Sequence, residues 1–305
     1  MTADSGLDGF ALTRTAPAKI NLALHVVGQR PDGYHLLESL VTFADAGDRI
    51  GISPASEDRF TVSGPFAGDV PLSGDNLVLR ARDLLRAHQV ASGLDAPPVH
   101  IHLEKNLPVA SGIGGGSADA AATLQGLTAL WNVTLNADER LAMALKLGAD
   151  VPMCLDGRPL IAQGIGENLA AIDTFPAFPM LLVNPNKAVS TPAIFRTLIT
   201  KNNPPMPPVK HARTKRDWLD VMQAMRNDLE PPARMLEPAI PAVSAALSAT
   251  GASLVRMSGS GATCFALYAG DAERDAAALW LSQRHPDWYV LACHSVASST
   301  IDDQG

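Results

Sequence analysis

Apolar and polar side chains alternate along several short stretches of the chain, a pattern typical of strands with one buried face. In the first stretch, Ile20, Leu22, Leu24 and Val26 alternate with polar or small residues. Pro, Asp and Gly follow at positions 31–33, a composition that favours a tight turn. Similar alternation or short apolar runs predict further strands over residues 49–53, 59–62, 99–103, 180–183, 253–257 and 264–268.

A second set of segments is rich in good helix formers or spaces its apolar residues at helical intervals. These segments predict helices over residues 76–91, 117–130, 137–147, 218–225 and 239–250. Gly148 is expected to end the third helix in the left-handed conformation. We interpret the residues before Leu12 as a loose extension and residues 201–216 as a solvated loop. A boundary near residue 175 divides the chain into predicted domains 1–174 and 175–305.

The charge balance narrows the choice of partners. The 305 residues include 24 Lys and Arg against 31 Asp and Glu, a formal net charge of −7. Because nucleic-acid binding relies on basic side chains, we expect no nucleic-acid partner. Hydrophobic residues make up 47%, enough to build a core rather than a disordered chain. A small anion is still a possible ligand, since backbone N–H groups at a helix start bind phosphate without net positive charge.

Cysteine usage and apolar segments bear on where the protein works. Cys154, Cys264 and Cys293 lie far apart without Cys-x-x-Cys spacing, which disfavours a disulfide framework or a structural zinc site. The first residues lack a signal-peptide pattern. Residues 238–255 form the longest uncharged stretch, but Pro and Gly interrupt it, so we expect no membrane span. We therefore expect a cytoplasmic protein with no membrane partner.

A glycine cluster stands directly before the Ala-rich helix predicted at residues 117–130. From Pro108 the chain reads Pro-Val-Ala-Ser-Gly-Ile-Gly-Gly-Gly-Ser. A glycine loop that opens a helix can bind phosphate, because N–H groups converge there and the helix dipole favours an anion. The cluster is not a P-loop, which needs Gly-Lys, nor a dinucleotide fingerprint, which needs Gly where Ser117 stands. A purely structural glycine loop is the alternative.

Two charged residues stand among small and apolar neighbours. Lys19, at the mouth of an apolar strand, is costly to bury without a partner or an anionic ligand, but a surface lysine is the alternative. Asp150 follows the expected end of a helix, where a turn or capping role competes with that of a paired carboxylate. Together the two residues could form an ion pair directed at a substrate hydroxyl.

Other candidate residues are aromatic, histidine or glycine. Tyr34 and His35 offer an aromatic face and a polar edge that could hold a base, although such a pair is more often structural. His100 and His102 have no Cys or carboxylate nearby at ligand spacing, so we expect no metal site. The turn over residues 257–263 lacks the Gly-x-Ser-x-Gly spacing of a nucleophile elbow.

In their order along nearly the whole chain, these motifs resemble those of the GHMP kinase family. The family carries a lysine-containing first motif, here residues 15–22, a glycine loop, here 112–117, and a glycine turn, here 257–263. Residues 28–40, 148–152 and 227–231 are similar to one branch of the family, which phosphorylates a cytidine diphosphate derivative of methylerythritol. The segment from Arg30 to His35 is the most discriminating, because other GHMP kinases do not carry it.

The resemblance implies an α+β chain with the two-domain GHMP kinase fold and an active site in the cleft between the domains. The N-terminal domain would bind ATP, with Mg²⁺ carried on the nucleotide. The acceptor would be the 2-hydroxyl of the cytidine diphosphate derivative, in the non-mevalonate isoprenoid pathway. A monomer or weak homodimer is expected.

The resemblance also implies roles for single residues. Asp150 would accept the proton of the attacking hydroxyl, while Lys19 keeps Asp150 ionised. The nucleotide would be bound by Asn76, Lys105, Pro108, Gly112, Ile113, Gly114, Gly115, Gly116 and Ser117. The acceptor would be bound by Asn21, Tyr34, His35, Thr191, Phe195, Gly259, Ser260 and Gly261. Tyr34 and Phe195 would lie on either side of the cytosine, with His35 at its edge.

Two other functions are compatible with these residues. A different GHMP kinase would act on mevalonate, homoserine or a sugar. A nucleotide-binding sensor without turnover would keep the glycine loop but would not need Lys19 and Asp150.

Overall fold

The chain, described here for residues 6–298 from a computed structural model, divides into two compact units that are each discontinuous in sequence. The first unit draws on Met1–Ala18, Ala46–Val109 and Gly114–Asp156, and the second on Lys19–Asp45, Ala110–Ile113 and Gly157–Gly305. Two long paired strands, β1 (Leu12–Gln29) and β2 (His35–Pro54), contribute residues to both units. The predicted boundary at residues 174/175 is a different partition of the chain, and it stays a prediction.

The turn predicted at residues 31–33 joins β1 to β2. The N–H of Gly33 donates to the carbonyl of Arg30 at 2.9 Å, and Gly33 has a φ of 91°, which glycine adopts without strain. Asp32 forms a 2.8 Å ion pair with Arg30 and accepts a hydrogen bond from the N–H of Tyr34. The turn prediction is confirmed, and both strands are longer than their alternating patterns indicated.

In the first unit, part of β2 pairs antiparallel with β4 (Val99–Glu104), and β3 (Arg59–Ser63) runs parallel to β4. The α-helices of this unit, as far as residues 6–156 describe it, are α1 (Leu77–Ala91), α2 (Gly115–Leu130), α3 (Ala137–Leu147) and α4 (Val151–Asp156). The first three match the predicted helices, with Asn76 and Asn136 as side-chain caps. The six-residue helix α4 was not predicted, because it is short and holds Pro at its second position.

Two local predictions for the first unit are wrong. Gly148 does end α3, but it is extended, with φ 166° and ψ 157°, rather than left-handed. The segment before Leu12 is not loose where the structure describes it, since Leu7 is 3% exposed and the ring of Phe10 lies 4.9 Å from that of His100. Its apolar side chains cover the sheet face near Gly51, where a side chain would collide with both. Residues 1–5 lie outside the described part.

The second unit contains two groups of strands. Residues 37–41 of β2 pair with β5 (Leu160–Gly164), which pairs with β6 (Asn168–Ala171). The other strands are β7 (Pro179–Asn184), β8 (Leu254–Met257), β9 (Cys264–Leu267) and β10 (Tyr289–His294), antiparallel in the order β10-β7-β9-β8. The helices are α5 (Thr191–Thr197), α6 (Lys215–Gln223), α7 (Glu230–Leu236), α8 (Ala239–Ser248) and α9 (Asp271–Arg284).

One hydrophobic core cluster of the second unit lies on one face of the four-stranded sheet, and the residues of β7 and β9 that face the other way are buried as well. Alternate residues of β7 and β9 contribute to it, as expected for the period of two in a strand. Leu24 and Val26 of β1 belong to the same core, together with apolar residues of the helices. Burial of these side chains ties a segment near the start of the chain to elements more than 150 residues later.

A buried arginine fixes the same segment through its backbone. The guanidinium of Arg256 donates to the carbonyls of Leu22 at 2.6 Å, Met222 at 2.9 Å and Met225 at 2.7 Å. Burial lowers the pKa of Arg256 to about 10. Three carbonyl acceptors satisfy a charged group that would be costly to bury alone.

Two negative findings apply to residues 6–298. No helix there has both the length and the apolar character needed to cross a membrane. In the same range, no three His, Cys, Asp or Glu side chains are grouped so that they could hold a metal ion.

Removal of the Asp58 carboxylate is expected to weaken the dependence of the unfolding free energy on pH in the acid range. Hydrogen bonds from Arg86, followed by one from the N–H of Val99, lower the pKa of Asp58 to about 2. A carboxylate with a lowered pKa adds stability above its unfolded-state pKa and loses it as the pH falls toward the folded value. Because the side chain is partly exposed, we expect Asp58→Ala to lose about 1 kcal/mol at neutral pH.

Urea denaturation of wild type and Asp58→Ala at pH 7, 5 and 3 measures this contribution. The difference in unfolding free energy is expected to shrink to about half by pH 3. Asp95→Ala, an exposed loop variant, is the control and should show little difference at any pH. A difference that stays constant or grows on acidification contradicts the assignment.

Candidate active site

Three motifs that are distant in sequence meet in the second unit. The N–H of Lys19 donates to the carbonyl of Ile113 at 2.9 Å, which joins the lysine motif to the glycine loop. The N–H of Thr263 donates to the carbonyl of Ser111 at 3.1 Å, which joins the glycine turn to the same loop. Backbone hydrogen bonds therefore hold all three motifs in fixed positions.

The side chain of Ser258 completes this connection. Its Oγ accepts from the N–H of Asn21 at 3.0 Å and donates to the carbonyl of Gly112 at 3.1 Å. Asn21 in turn accepts from Nζ of Lys19 at 2.9 Å and donates to Oγ of Ser39 at 2.6 Å. Lys19 and Asn21 are both buried, 4% and 5% exposed. The alternative of a surface lysine is thus wrong, and the interpretation as a buried lysine with a partner is confirmed.

The two glycine motifs approach each other so closely that side chains would not fit. A Cβ on Gly112 would lie 2.6 Å from the N atom of Gly261, and one on Gly259 would lie 2.8 Å from the carbonyl oxygen of Gly112. Gly112, Gly259 and Gly261 also have positive φ angles of 79°, 55° and 83°. Both the space and the backbone conformation therefore require glycine at these positions.

Residues 227–231 stabilise the glycine turn through hydrogen bonds. Nδ2 of Asn227 donates to the carbonyls of Met257 and Gly259, each at 2.8 Å. Asp228 accepts from the N–H of Val26 at 2.7 Å. The sequence marked this segment only through its resemblance, and it did not single out Asn227 or Ser258. The signal available in the sequence was that two adjacent polar residues, Asn227 and Asp228, stand just before a helix start that contains proline.

The residues expected around the base show a different arrangement. The rings of His35 and Phe195 are stacked, with centroids 4.8 Å apart and planes 26° apart. The ring of Tyr34 is 62% exposed. Because His35 covers one face of Phe195, the predicted sandwich of Tyr34 and Phe195 around a base can use only the other face of Phe195.

His35 has an unused polar atom. Its Nε2 is buried without a hydrogen-bond partner among residues 6–298, and burial, followed by the charge of Lys201, lowers the pKa of the ring. A neutral imidazole nitrogen in this position can donate to or accept from a ligand. Thr191, by contrast, shares a 2.7 Å hydrogen bond with Ser260, so the structure does bring these two predicted residues together.

In the first unit, the glycine loop opens α2. Gly114 caps the helix in the left-handed conformation with φ 64° and ψ 19°, and Gly115 is the first helical residue. The exposed or half-buried residues Gly114, Gly115, Gly116 and Ser117 leave their N–H groups at the positive end of the helix dipole. The interpretation of this segment as an anion-binding helix start is consistent with this geometry.

Lys105 forms ion pairs that the sequence did not predict. Its Nζ lies 2.5 Å from Oδ2 of Asp48 and 2.8 Å from Oδ2 of Asp119, and all three side chains are buried. Burial lowers the pKa of Lys105, but the two carboxylates outweigh this effect and raise it overall. A Cβ on Gly115 would lie 3.1 Å from Nζ. The ammonium therefore supports the start of α2, and the predicted adenine contact of Lys105 stays a prediction beside this role.

The two buried carboxylates of Asp48 and Asp119 share the single ammonium of Lys105. Burial of Asp119, with the charge of Asp48, raises the pKa of the Asp119 carboxyl. Its Oδ1 is a buried oxygen without a partner within the described chain.

Asn76 and Asp150 both stand at helix starts. Oδ1 of Asn76 accepts from the N–H of Val78 at 2.8 Å, and its Nδ2 donates to the carbonyl of Pro71 at 2.6 Å. The predicted adenine contact of Asn76 stays a prediction beside this capping role. Asp150 precedes α4, is half-buried, and its carbonyl accepts from the N–H of Cys154 at 3.2 Å.

Comparison with known proteins identifies the family. The sequence model described as "GHMP kinases N terminal domain" matches residues 76–158, and "GHMP kinases C terminal" matches residues 209–284. Together they cover more than half of the chain. The chain belongs to the GHMP kinase family.

Individual relatives are similar over nearly the full length. The chain is 61% identical over 296 residues to 4-diphosphocytidyl-2-C-methyl-D-erythritol kinase of Rhizobium meliloti (strain 1021), covering 96% of this chain and 98% of that one. A crystal structure of 4-(cytidine 5'-diphospho)-2C-methyl-D-erythritol kinase matches with a TM-score of 0.77 and 33% identity, covering 93% and 99% of the two chains.

A homoserine kinase from Cytophaga hutchinsonii ATCC 33406 shares the fold, with a TM-score of 0.68 and 18% identity over 94% of each chain. The expected α+β GHMP kinase fold is confirmed by these matches.

Proposed function

We propose that the protein transfers the γ-phosphoryl group of ATP to the 2-hydroxyl of 4-diphosphocytidyl-2-C-methyl-D-erythritol, in the non-mevalonate isoprenoid pathway. The observation that carries this proposal is the 61% identity over 96% of the chain to the Rhizobium meliloti kinase of that substrate. The linked motifs around Lys19, Gly112 and Ser258 support it, because a kinase must hold its groups in fixed positions.

The nucleotide is the part of the reaction that the glycine loop would bind. The N–H groups at the start of α2 would face the phosphates of ATP, and the helix dipole would favour their charge. Mg²⁺ would enter on the nucleotide, as part of the substrate, and offset the charge that develops on the phosphate oxygens. This arrangement suits a chain with a net charge of −7, since backbone groups supply the attraction that basic side chains do not.

The acceptor would be activated and held by side chains. The 2-hydroxyl oxygen attacks the γ-phosphorus, the bond to the β,γ-bridging oxygen breaks, and ADP leaves. Asp150 would take the hydroxyl proton, and Lys19 would help to hold the acceptor. The unpartnered Nε2 of His35 would bond the edge of the cytosine, with Tyr34 and Phe195 against its faces. Thr191, Ser260 and Asn21 would contribute polar contacts.

We place the protein in the cytoplasm as a monomer or weak homodimer without nucleic-acid or membrane partners. The three cysteines, all within residues 6–298, are buried and form no disulfide, which suits a reducing compartment. Burial raises the pKa of the Cys264 and Cys293 thiols to about 12, so both are poor nucleophiles.

An acceptor panel tests the proposed substrate. The protein is incubated with Mg²⁺ and ATP and with 4-diphosphocytidyl-2-C-methyl-D-erythritol, mevalonate, homoserine or galactose, and ADP release is measured. We expect turnover with the cytidine compound alone. Turnover with mevalonate or homoserine but not with the cytidine compound contradicts the substrate. Nucleotide binding without turnover on any acceptor would instead favour a sensor.

A further inference from the structure

A cavity of about 500 Å³ lies in the first unit, at the C-terminal half of α2. It is bounded by that helix, the connection from α2 to α3, the first turn of α3, one residue of α4 and Arg14 of β1. None of the residues implied in nucleotide or acceptor binding lines it. Its volume is within the range of natural small-molecule sites.

Part of the cavity wall is apolar, beside the polar side chains of Gln125, Thr128, Asn132 and Thr134. Leu124, Val133 and Met143 are buried there, and Leu155 is half-buried. These four side chains come from α2, the following connection, α3 and α4. An apolar wall of this kind favours a ligand with a hydrocarbon part, because contact with it removes apolar surface from water.

The charged groups of the cavity are both positive. Arg14 and Arg140 line it, and no Asp or Glu does. Among residues 6–298 neither arginine forms an ion pair; the Arg14 guanidinium donates to the carbonyl of Thr13 at 2.9 Å. Glu139, the chain neighbour of Arg140, directs its carboxylate to the N–H of Asn136 in the cap of α3. Two guanidinium groups therefore lack a local carboxylate.

The stem of Arg14 passes beside a glycine of α2. Its Cγ lies 3.6 Å, an ordinary contact distance, from the place that a Cβ on Gly126 would occupy, so the arginine stem runs along α2 there. The half-buried stem leaves the guanidinium at the cavity. Arg140 approaches from the exposed first turn of α3.

We propose that this cavity binds a small organic phosphate with a short hydrocarbon tail. Guanidinium groups recognise phosphate oxygens by paired hydrogen bonds, and two of them suit a doubly charged head. The tail would lie against Leu124, Val133 and Met143. The site is independent of the proposed kinase activity, because it uses none of the same residues.

Isothermal titration calorimetry with n-hexyl phosphate tests the proposal. All titrations contain saturating Mg²⁺ and a non-hydrolysable ATP analogue, so that the glycine loop is occupied. We expect hexyl phosphate to bind about tenfold more tightly than n-butyl phosphate, since two more methylenes are buried. Inorganic phosphate and n-hexanol should both bind much more weakly, because each lacks one half of the ligand. Equal binding of hexyl and inorganic phosphate overturns the proposal.

Variants locate the binding. Arg14→Gln and Arg140→Gln are each expected to weaken hexyl phosphate by about tenfold or more, through loss of a charged hydrogen bond. Ala129→Trp should fill the cavity and abolish binding without changing any charge. Arg59→Gln, an exposed variant on β3, is the control for net charge and should bind like wild type. Unchanged affinity in the Arg14/Arg140 double variant overturns the assignment, and kinase activity of each variant verifies that it is folded.

Discussion

Replacement of Asp150 by Asn is expected to lower kcat by about 10²–10⁴-fold, the usual contribution of a general base, while ATP affinity stays nearly unchanged. Asn cannot take the proton of the acceptor hydroxyl, but it keeps the size and the position of the carboxyl before α4. The carboxylate would act only on the acceptor side of the transferred phosphoryl group. Steady-state kinetics with the cytidine substrate and a direct measurement of ATP binding separate the two effects.

Asp138→Asn is the matched control, because it makes the same chemical change on the exposed first turn of α3 in the same unit. It should retain wild-type kcat and ATP affinity. If Asp150→Asn weakened ATP binding as much as it slowed turnover, the carboxylate would belong to the nucleotide or to the fold. Full activity in Asp150→Asn would remove it from the mechanism altogether.

The largest loss of stability is expected for Asp48→Ala, about 3–5 kcal/mol. Oδ1 of Asp48 accepts from the N–H groups of Asn106 at 2.6 Å and Leu107 at 2.8 Å, and Oδ2 accepts from Lys105 at 2.5 Å. The residue is fully buried. Truncation of Asp48 leaves two buried N–H groups without an acceptor. It also removes one of the two carboxylates that balance the charge of the buried Lys105 ammonium.

Urea denaturation of Asp48→Ala against two further variants measures this loss. Asp48→Asn keeps a carbonyl oxygen that can accept from the two N–H groups, so it should lose clearly less stability than Asp48→Ala. Asp75→Ala removes an exposed carboxylate just before α1 and should stay within about 0.5 kcal/mol of wild type. Equal stability of Asp48→Ala and Asp75→Ala would show that the buried triad contributes nothing.

The elements with strong periodicity were predictable, and those set by tertiary contacts were not. The helices α1, α2 and α3 follow from composition and caps within a few residues. The strands β5, β6 and β10 and the helices α4, α5, α7 and α9 were missed. Several of these are short or begin with proline, so their own sequence preference is weak and neighbouring elements decide their structure.

The candidate site shows a similar division. Glycine at positions 112, 259 and 261 could be read as functional from sequence, and the close approach of the backbones explains the requirement. The partners of Lys105 could not be predicted from the sequence, because Asp48 and Asp119 lie 57 and 14 residues away and only the fold brings them together. The role of Ser258 could not be predicted for the same reason, since it depends on Asn21 and Gly112 from two other segments.

The discontinuous units limit how sequence can be exchanged between relatives. Residues 19–45 of β1 and β2 belong to the unit that also contains Gly157–Gly305, and Arg256 bonds the carbonyl of Leu22 within it. A single crossover between two related genes, at residue 175 for example, would combine β1 of one parent with Arg256 and its neighbouring residues of the other. Chimeras that preserve both cores need junctions at 18/19, 45/46, 109/110, 113/114 and 156/157 together. Recombination within this gene is therefore expected to favour near-identical parents, and the separate segments of each unit to change in concert.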